Sequence, residues 1–578
     1  MLNVKNVIHN IISAYITYVW YWLSMALMLF LPTYFWNIAN VSEDDICLCI
    51  FNLLVYSIFV SGVIVSFGLI LRRFSSRSAK IWLCLAFIIT MLISFGEVFM
   101  IKFFHTRYAS FIFQLVDETN NRESVDFIVA YCSTLKFLAI FFLYIVVFGI
   151  GTILLNKLSW FVRFRKHITF CLFWILFIGV FVNCIGNQVS SKRQYPMGED
   201  SFSYLYNAYN SFLKSKEECL ICDNMHRSIV VDSCTYSSPK IFLLIGESFN
   251  KYHSSLYGYK LPTNPNLSKL DNLFVFTDVI TSVNGTSYSF HNFMSMASVG
   301  EERSWAEAPL FMSFFKKAGY YVTFYSNQFP KRFHTDSFDF EGSYFFDQPM
   351  IDSTCFDFRN TEVYQYDGDM LDNYEADRKE KIDIGEHRLT IIHFLGQHML
   401  PESRYPIEYT YFTADSIDRP DLAEKYKQEI AHYDNATRYN DTIVYRVIDM
   451  YKDEDAIFIY FSDHGDEVND FRIHRGRSFD IALGAPLLHC QMDIPFVIYA
   501  TSLYKKKHPD IIARIAESVN RPFMTDDLPH LMLDLAGIST SWYNPTKSII
   551  NSNYNSKRKR LVGYVSRYDY DSICSPKY

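Results

Sequence analysis

Two apolar runs in this chain end directly in residues that can bind a metal ion. Ile241-Phe242-Leu243-Leu244-Ile245 leads into Gly246 and Glu247, and Ala456-Ile457-Phe458-Ile459-Tyr460-Phe461 leads into Ser462-Asp463-His464-Gly465-Asp466. Runs of this length without a polar break read as strands buried on both faces, and open α/β sheets gather their ligands at the carboxyl ends of such strands. Glu247, Asp463 and His464 offer two oxygens and one nitrogen, a set zinc accepts readily; manganese would also suit the carboxylates. Between them in sequence lies Asn284-Gly285-Thr286-Ser287, a glycine-preceded turn after an expected strand over 274–280, where a helix can begin. A threonine hydroxyl is a poor nucleophile at neutral pH unless a base or a metal lowers its pKa. A metal there also stabilises charge developing on a transferred phosphoryl group. Singly, Thr286 reads as a helix cap, Glu247 as a surface acid and Asp463 as a turn residue. Their joint occurrence, with Ser-Asp-His-Gly placed directly after a buried run, favours a metal-activated nucleophile.

The elements that must hold these residues follow from the apolar pattern. Short apolar runs at 240–245, 273–277, 321–325, 389–395, 456–461 and 494–499 alternate with helical stretches such as 309–318 and 421–451. Strands interleaved with helices predict a mostly parallel sheet with helices on both faces, an α/β domain over residues 239–578.

The chain is 50% hydrophobic and 17% aromatic, too apolar for one soluble domain of 578 residues, and the excess lies before residue 190. Five stretches there, 11–36, 47–71, 81–104, 135–155 and 168–189, reach the roughly 20 residues a membrane crossing needs. The first is too long for a secretory signal and lacks a small-residue cleavage site, which favours an uncleaved anchor. Arg72, Arg73, Arg77 and Lys80 fill one short loop and Lys157, Arg163, Arg165 and Lys166 another. The positive-inside rule then puts the N-terminus and both loops in the cytoplasm. Five crossings leave everything after residue 190 outside, in the periplasm of a Gram-negative bacterium. The expected organisation is a five-helix transmembrane domain (1–189), a polar linker with a bridging helix (190–238), and the catalytic domain (239–578). Of the 54 Lys+Arg and 61 Asp+Glu, 13 and 8 lie in residues 1–188, leaving 41 against 53 beyond. A net of −12 there argues against a nucleic-acid partner, whose binders present basic faces. Glu97 falls within the third span, where a carboxylate is costly and defaults to a paired or functional role. The external segment between the third and fourth spans reads as a solvated amphipathic connector. Cys219, Cys222, Cys234, Cys355, Cys490 and Cys574 fall on the oxidising side, where disulfides are permitted but their pairing is not deducible.

The motifs LIGES (244–248), NGTS (284–287), FLGQH (394–398), YDNATRYNDTIV (433–444) and FSDHGDEV (461–468), behind five spans, resemble the bacterial phosphoethanolamine transferases of the alkaline phosphatase/sulfatase superfamily, the lipid A and lipopolysaccharide-core modifying enzymes. The resemblance implies that Glu247, Thr286, Asp463 and His464 bind one zinc, with Thr286 the phosphorylated nucleophile; whether a second zinc binds is left open. It implies that His398 lies beside the zinc, contacting the phosphoryl group or a second metal. The residues alone would make His393 and His398 ordinary polar residues at a strand end. Arg477 stands where the family pattern has a histidine, so His474 and His489, together with Asn327, are the candidates for substrate or second-metal contacts. Thr119, Asn120 and Glu123 match the family's external loop near the lipid. No cysteine flanks Thr286, so the acceptor preference of the lipid A-modifying members does not carry over. The implied activity transfers phosphoethanolamine from phosphatidylethanolamine to lipid A, a core sugar or another periplasmic glycan, with polymyxin resistance as a consequence. A phosphoglycerol transferase of the lipoteichoic acid synthase type is the nearest alternative. Sulfatase activity is disfavoured because no C-x-P-S-R or S-x-P-S-R run is present. An inactive membrane scaffold or sensor is disfavoured by the intact ligand set.

Overall fold

The computed structural model describes residues 4–40, 43–104, 106–108, 113, 121–158, 161, 163–189, 201–331, 345–473, 475–477, 484–564 and 567–574. His474, Thr119 and Asn120 lie outside the described residues; Glu123 is described only as part of a short helix, Asn121–Phe127. The chain divides into two compact units. One comprises Met1–Gln114 with Ile128–Leu213, the other Leu115–Phe127 with Lys214–Tyr578.

The first unit is helical. Its helices α1 (Val4–Asn40), α2 (Glu43–Phe74), α3 (Ser76–Phe104) and α4 (Leu135–Lys157) contain four segments long and apolar enough to cross a membrane, by length and composition. The fifth expected crossing is also a single helix, α5 (Arg165–Val189), with no charged residue from 168 to 189. Trp22, Met25, Leu29, Ile58 and Val65 lie at the centre of this bundle. The carboxylate of the third apolar helix, Glu97, is paired: Arg107 forms an ion pair with it and also bonds Thr33. Tyr204 lies under the same guanidinium, 3.4 Å from ring centroid to Cζ. A charge in an apolar bundle is tolerable on those terms, since breaking a buried pair leaves an uncompensated ion.

The second unit is built on a seven-stranded sheet. Its strands are β1 (Lys240–Gly246), β2 (Leu273–Val275), β3 (Tyr321–Ser326), β4 (Phe358–Arg359), β5 (Arg388–His393), β6 (Ala456–Ser462) and β7 (Phe496–Ala500). Their order is β2-β7-β6-β1-β5-β3-β4. All neighbours pair in parallel except β7, which runs antiparallel to both β6 and β2. The apolar runs are continuous because both faces are covered. Ile241, Leu243 and Ile245 point into one core with Phe290, Phe293, Phe311 and Leu531; Phe242 and Leu244 point into another with Tyr439, Ile443 and Val447. The helices supplying those partners include α7 (Thr286–Met294) on one face and α8 (Glu424–Met450) on the other. Leu244 stands opposite Tyr460 and Gly246 opposite Ser462 in the β1–β6 pairing, so the residues after both strands emerge at one edge.

The expected strand over 274–280 is divided. Leu273–Val275 joins the main sheet, whereas Val279–Ile280 pairs in parallel with Phe523–Met524 in a separate ribbon. The chain then enters α7 at Thr286. Among the described residues of the linker, α6 (Ser201–Met225) is the one long element.

Candidate active site

Glu247, Asp463 and His464 meet where β1 and β6 end. Each offers one ligand atom, these atoms lie within 4.8 Å of one another, and all three residues are fully buried. His464 Nε2 is 3.3 Å from Glu247 Oε1 and 3.3 Å from Asp463 Oδ2. The imidazole is oriented by its other nitrogen: Nδ1 is 2.7 Å from the Gly465 carbonyl, which can only accept, so Nδ1 carries the proton. The Arg477 guanidinium, which can only donate, lies 3.2 Å from Nε2. Nε2 therefore carries the one free lone pair of the ring, within 3.3 Å of an oxygen of each carboxylate, and that lone pair is what a metal ion would take.

The fit to a cation rests on the carboxylates. Burial, reinforced by the charge of Glu247, pushes the Asp463 carboxyl well above the usual range. Its Oδ1 accepts the backbone N–H groups of Ser248 and His464 at 3.1 and 2.7 Å, while the buried Oδ2 has no hydrogen-bond partner. Two acids forced together with one orphaned oxygen form a site that a divalent cation relieves.

Thr286 is the first residue of α7, with extended Gly285 as its N-cap. Its hydroxyl donates to Glu247 Oε2 at 2.9 Å and lies 3.4 Å from His464 Nε2. The unsatisfied N–H groups and positive end of a helix N-terminus favour an anion beside that hydroxyl. A Cβ on Gly285 would lie 2.4 Å from the Tyr564 hydroxyl. Tyr564 itself donates to Asn284 at 3.0 Å, and Asn284 in turn donates to Gln491.

The backbone around the site is held in unusual conformations. Ser248 has φ +55°, with its hydroxyl donating 2.6 Å to Glu247 Oε1; Met399 has φ +52°. Left-handed non-glycine residues persist where their surroundings over-determine them, and these two flank the site. Gly396, at φ +52°, has no room for a side chain, since a Cβ would fall 2.9 Å from the backbone N and O of Glu247. Gly465 is equally constrained, because its Cβ would meet the Cys490 carbonyl at 2.2 Å.

The other sequence candidates take different places. His398 is buried, with Nδ1 lacking a partner, and close enough to Glu247, Arg477 and His464 for their charges to act on it; burial pushes it down to about 3, so it is neutral. Arg404 Nε donates to the His398 carbonyl at 2.8 Å, and the same guanidinium pairs with Asp126 of the helix Asn121–Phe127. His393 is committed to Ser326 at 3.0 Å and Gln328 at 3.1 Å. Asn327 donates to Asp367 at 2.9 Å and accepts from the Tyr364 backbone at 2.6 Å. Asp367 also accepts the Leu395 and Gly396 N–H groups at 2.8 and 3.0 Å, so Asn327 braces the turn that carries His398. The structure does not bring His489 to the triad. It sits one helical turn before Asp493, within 3.4 Å of Asp493, Tyr570 and Tyr252 oxygens. Gln328, whose amide reaches Glu247 Oε2 at 3.4 Å, was not read from the sequence; its place two residues past the end of β3 was the available signal.

With this geometry established, the chain was compared with known proteins. The sulfatase family model matches residues 239–538, just over half of the chain. The chain belongs to the sulfatase family. Among its relatives is phosphoethanolamine transferase EptC of Escherichia coli O18:K1:H7, 29% identical over 350 residues that cover 58% of this chain and 57% of that protein. The chain thus matches a little over half the length of such curated relatives. The C-terminal periplasmic domain of EptC from Escherichia coli superposes with a TM-score of 0.50 at 26% identity, covering 60% of this chain and 97% of that domain. The integral membrane lipooligosaccharide phosphoethanolamine transferase A of Neisseria meningitidis matches with a TM-score of 0.59 over 93% of this chain and 98% of its own; at 17% identity the likeness is one of fold. The family resemblance read from the motifs is borne out, as is the architecture of apolar N-terminal helices followed by a mostly parallel α/β domain.

Proposed function

We propose that this chain transfers phosphoethanolamine from phosphatidylethanolamine to a lipopolysaccharide or another periplasmic glycan, with Thr286 as the nucleophile. One observation carries the reading: the hydroxyl that opens α7 points at Glu247 and His464, 2.9 and 3.4 Å away, beside an unpartnered Asp463 oxygen. The names of the relatives supply the transferred group.

Zinc is the cation this donor set suits best, held by Glu247, Asp463, His464 and Thr286; when bound, it lowers the pKa of the hydroxyl and offsets charge on the phosphoryl oxygens. Glu247 accepts the Thr286 hydroxyl hydrogen bond and fixes the direction of the oxygen lone pairs. Thr286 Oγ1 then forms a bond to phosphorus as the ester bond to the glycerol oxygen breaks, and diacylglycerol leaves with a proton. The acceptor oxygen next attacks the same phosphorus, breaking the threonine ester, and Thr286 regains its proton. The first product departs before the acceptor reacts, giving ping-pong kinetics. On this reading residues 1–189 anchor the enzyme in the inner membrane with the N-terminus cytoplasmic, 190–238 form a linker, and 239–578 work in the periplasm. Thr119, Asn120 and Glu123 remain our candidates for lipid contacts.

The test is mass analysis of the peptide containing Thr286 after the purified chain meets phosphatidylethanolamine. An adduct of phosphoethanolamine mass on Thr286, absent from Thr286→Ala, is the expected result. An adduct of glycerol phosphate mass after incubation with phosphatidylglycerol, and none with phosphatidylethanolamine, would replace the reading by the phosphoglycerol alternative. Near-normal transfer by Thr286→Ala would end both.

A further inference from the structure

Arg477 lies beside the ligand cluster, where its charge is awkward for a cation and suited to an anion. Its Nη1 is 3.2 Å from His464 Nε2, the atom that also lies 3.3 Å from an oxygen of Glu247 and of Asp463. Its charge also acts on Glu247, His398, Asp466 and Tyr564, so the guanidinium sits among the groups that wall the site. A fixed positive charge this near a metal ligand repels any bound cation; Glu247 and Asp466 offset part of that repulsion, and an anion lying against both cations would relieve it further. A phosphoryl group supplies such an anion, and the planar guanidinium fork matches its oxygens. A second observation points to the same space. His398 is only 5% exposed, its Nδ1 has no hydrogen-bond partner, and it lies close enough to Glu247, His464 and Arg477 for their charges to act on it.

We infer that Arg477 binds the non-bridging oxygens of the transferred phosphoryl group and occupies the position that a second divalent cation would need, so that the site works with one metal ion and one guanidinium. The inference rests on the metal-site reading above and deepens it. Arg477 makes and breaks no covalent bond in this role; it stays protonated throughout and holds the phosphorus in line with Thr286.

Inorganic phosphate is a suitable probe, because its binding does not depend on which head group or acceptor the enzyme uses. The full-length chain in detergent, loaded with zinc and desalted, is compared with Arg477→Ala and Arg477→Lys for zinc content by elemental analysis and for phosphate affinity by calorimetry. We expect one zinc per chain in all three proteins, at least a tenfold weaker phosphate Kd in R477A, and an intermediate loss in R477K, which keeps a point charge without the fork. Phosphate affinity within twofold of wild type in zinc-loaded R477A would overturn the inference. Two tightly held zinc ions in the wild type would overturn it, as would loss of zinc from R477A, since Arg477 would then be supporting the ligands. None of those outcomes bears on the adduct on Thr286, so the transfer reading stands or falls separately.

Discussion

The second unit contains two clusters with the same inventory, two carboxylates and one imidazole, and opposite chemistry: one is fully buried, and the other has its second acid, Asp470, exposed. In one, Glu247 and Asp463 face His464; in the other, Asp434 and Asp470 face His253. His253 Nδ1 lies 2.7 Å from Asp434 and its Nε2 3.2 Å from Asp470, so both ring nitrogens meet carboxylates and the ring is held as a cation, raised to about 10 as the acids outweigh burial. Tyr259 donates to Asp434 at 2.8 Å and Asn250 to Asp470 at 3.1 Å, which completes the cluster without any ion. At His464 the Gly465 carbonyl takes the Nδ1 proton, leaving one lone pair, two acids and an orphaned oxygen. One backbone carbonyl thus separates a clamp that holds its own imidazole as the cation from a site that wants a cation from outside.

The largest effect should divide the clusters by activity. Asp463→Asn is expected to lose the metal and to lower turnover at least about 10²–10³-fold, whereas Asp434→Asn should keep its zinc; elemental analysis beside a transfer assay decides. Stability should divide them the other way. In chelator-treated protein at pH 7, Asp434→Asn should cost about 3–5 kcal/mol, the usual penalty for stripping one partner from a buried charge pair. Asp463→Asn should be neutral or stabilising there, because it removes a like-charge contact; denaturant unfolding that ranks the two variants in the reverse order breaks the comparison.

A pH series sharpens it further. His253 is raised in the folded protein from an ordinary value near about 6.5, so its contribution is present in full below that value and is lost as the pH climbs toward about 10. Burial meanwhile holds Asp434 above the usual carboxylate range, which offsets part of the gain. The stability difference between wild type and His253→Gln should therefore shrink by about 2–4 kcal/mol between pH 6 and pH 10. A difference that stays flat would mean that the ring is neutral. The smallest effect is Tyr259→Phe, expected to cost about 1 kcal/mol by thermal unfolding, with transfer unchanged.

Most of the metal cluster was legible because a strand buried on both faces fixes where its next residue goes. Glu247 and Asp463 could be read that way, and Gly285 marked the start of α7. The division of the expected 274–280 strand was not legible, since both halves are apolar and only pairing with Phe523–Met524 tells them apart. The two-residue strand Phe358–Arg359 was too short to leave a periodic signal. Gln328 reaches Glu247 directly, and its place just past β3 was its one signal; Asp367 acts through a turn, and nothing in its local sequence says which turn it braces. His489 looked like a free ligand, but its partner is Asp493, four residues on, a pairing that helical spacing allowed for.

The Asp126–Arg404 pair bears on how this protein can be cut. Arg404 is almost wholly enclosed, with a side chain 1% exposed, and it supports the His398 carbonyl while gripping an acid borne by residues between the third and fourth apolar helices. A soluble fragment beginning downstream of the anchor would retain the guanidinium and discard its counter-ion. Such a truncated enzyme should hold its histidine turn less firmly than the intact one, and adding Asp126 back on a synthetic peptide should restore part of that order.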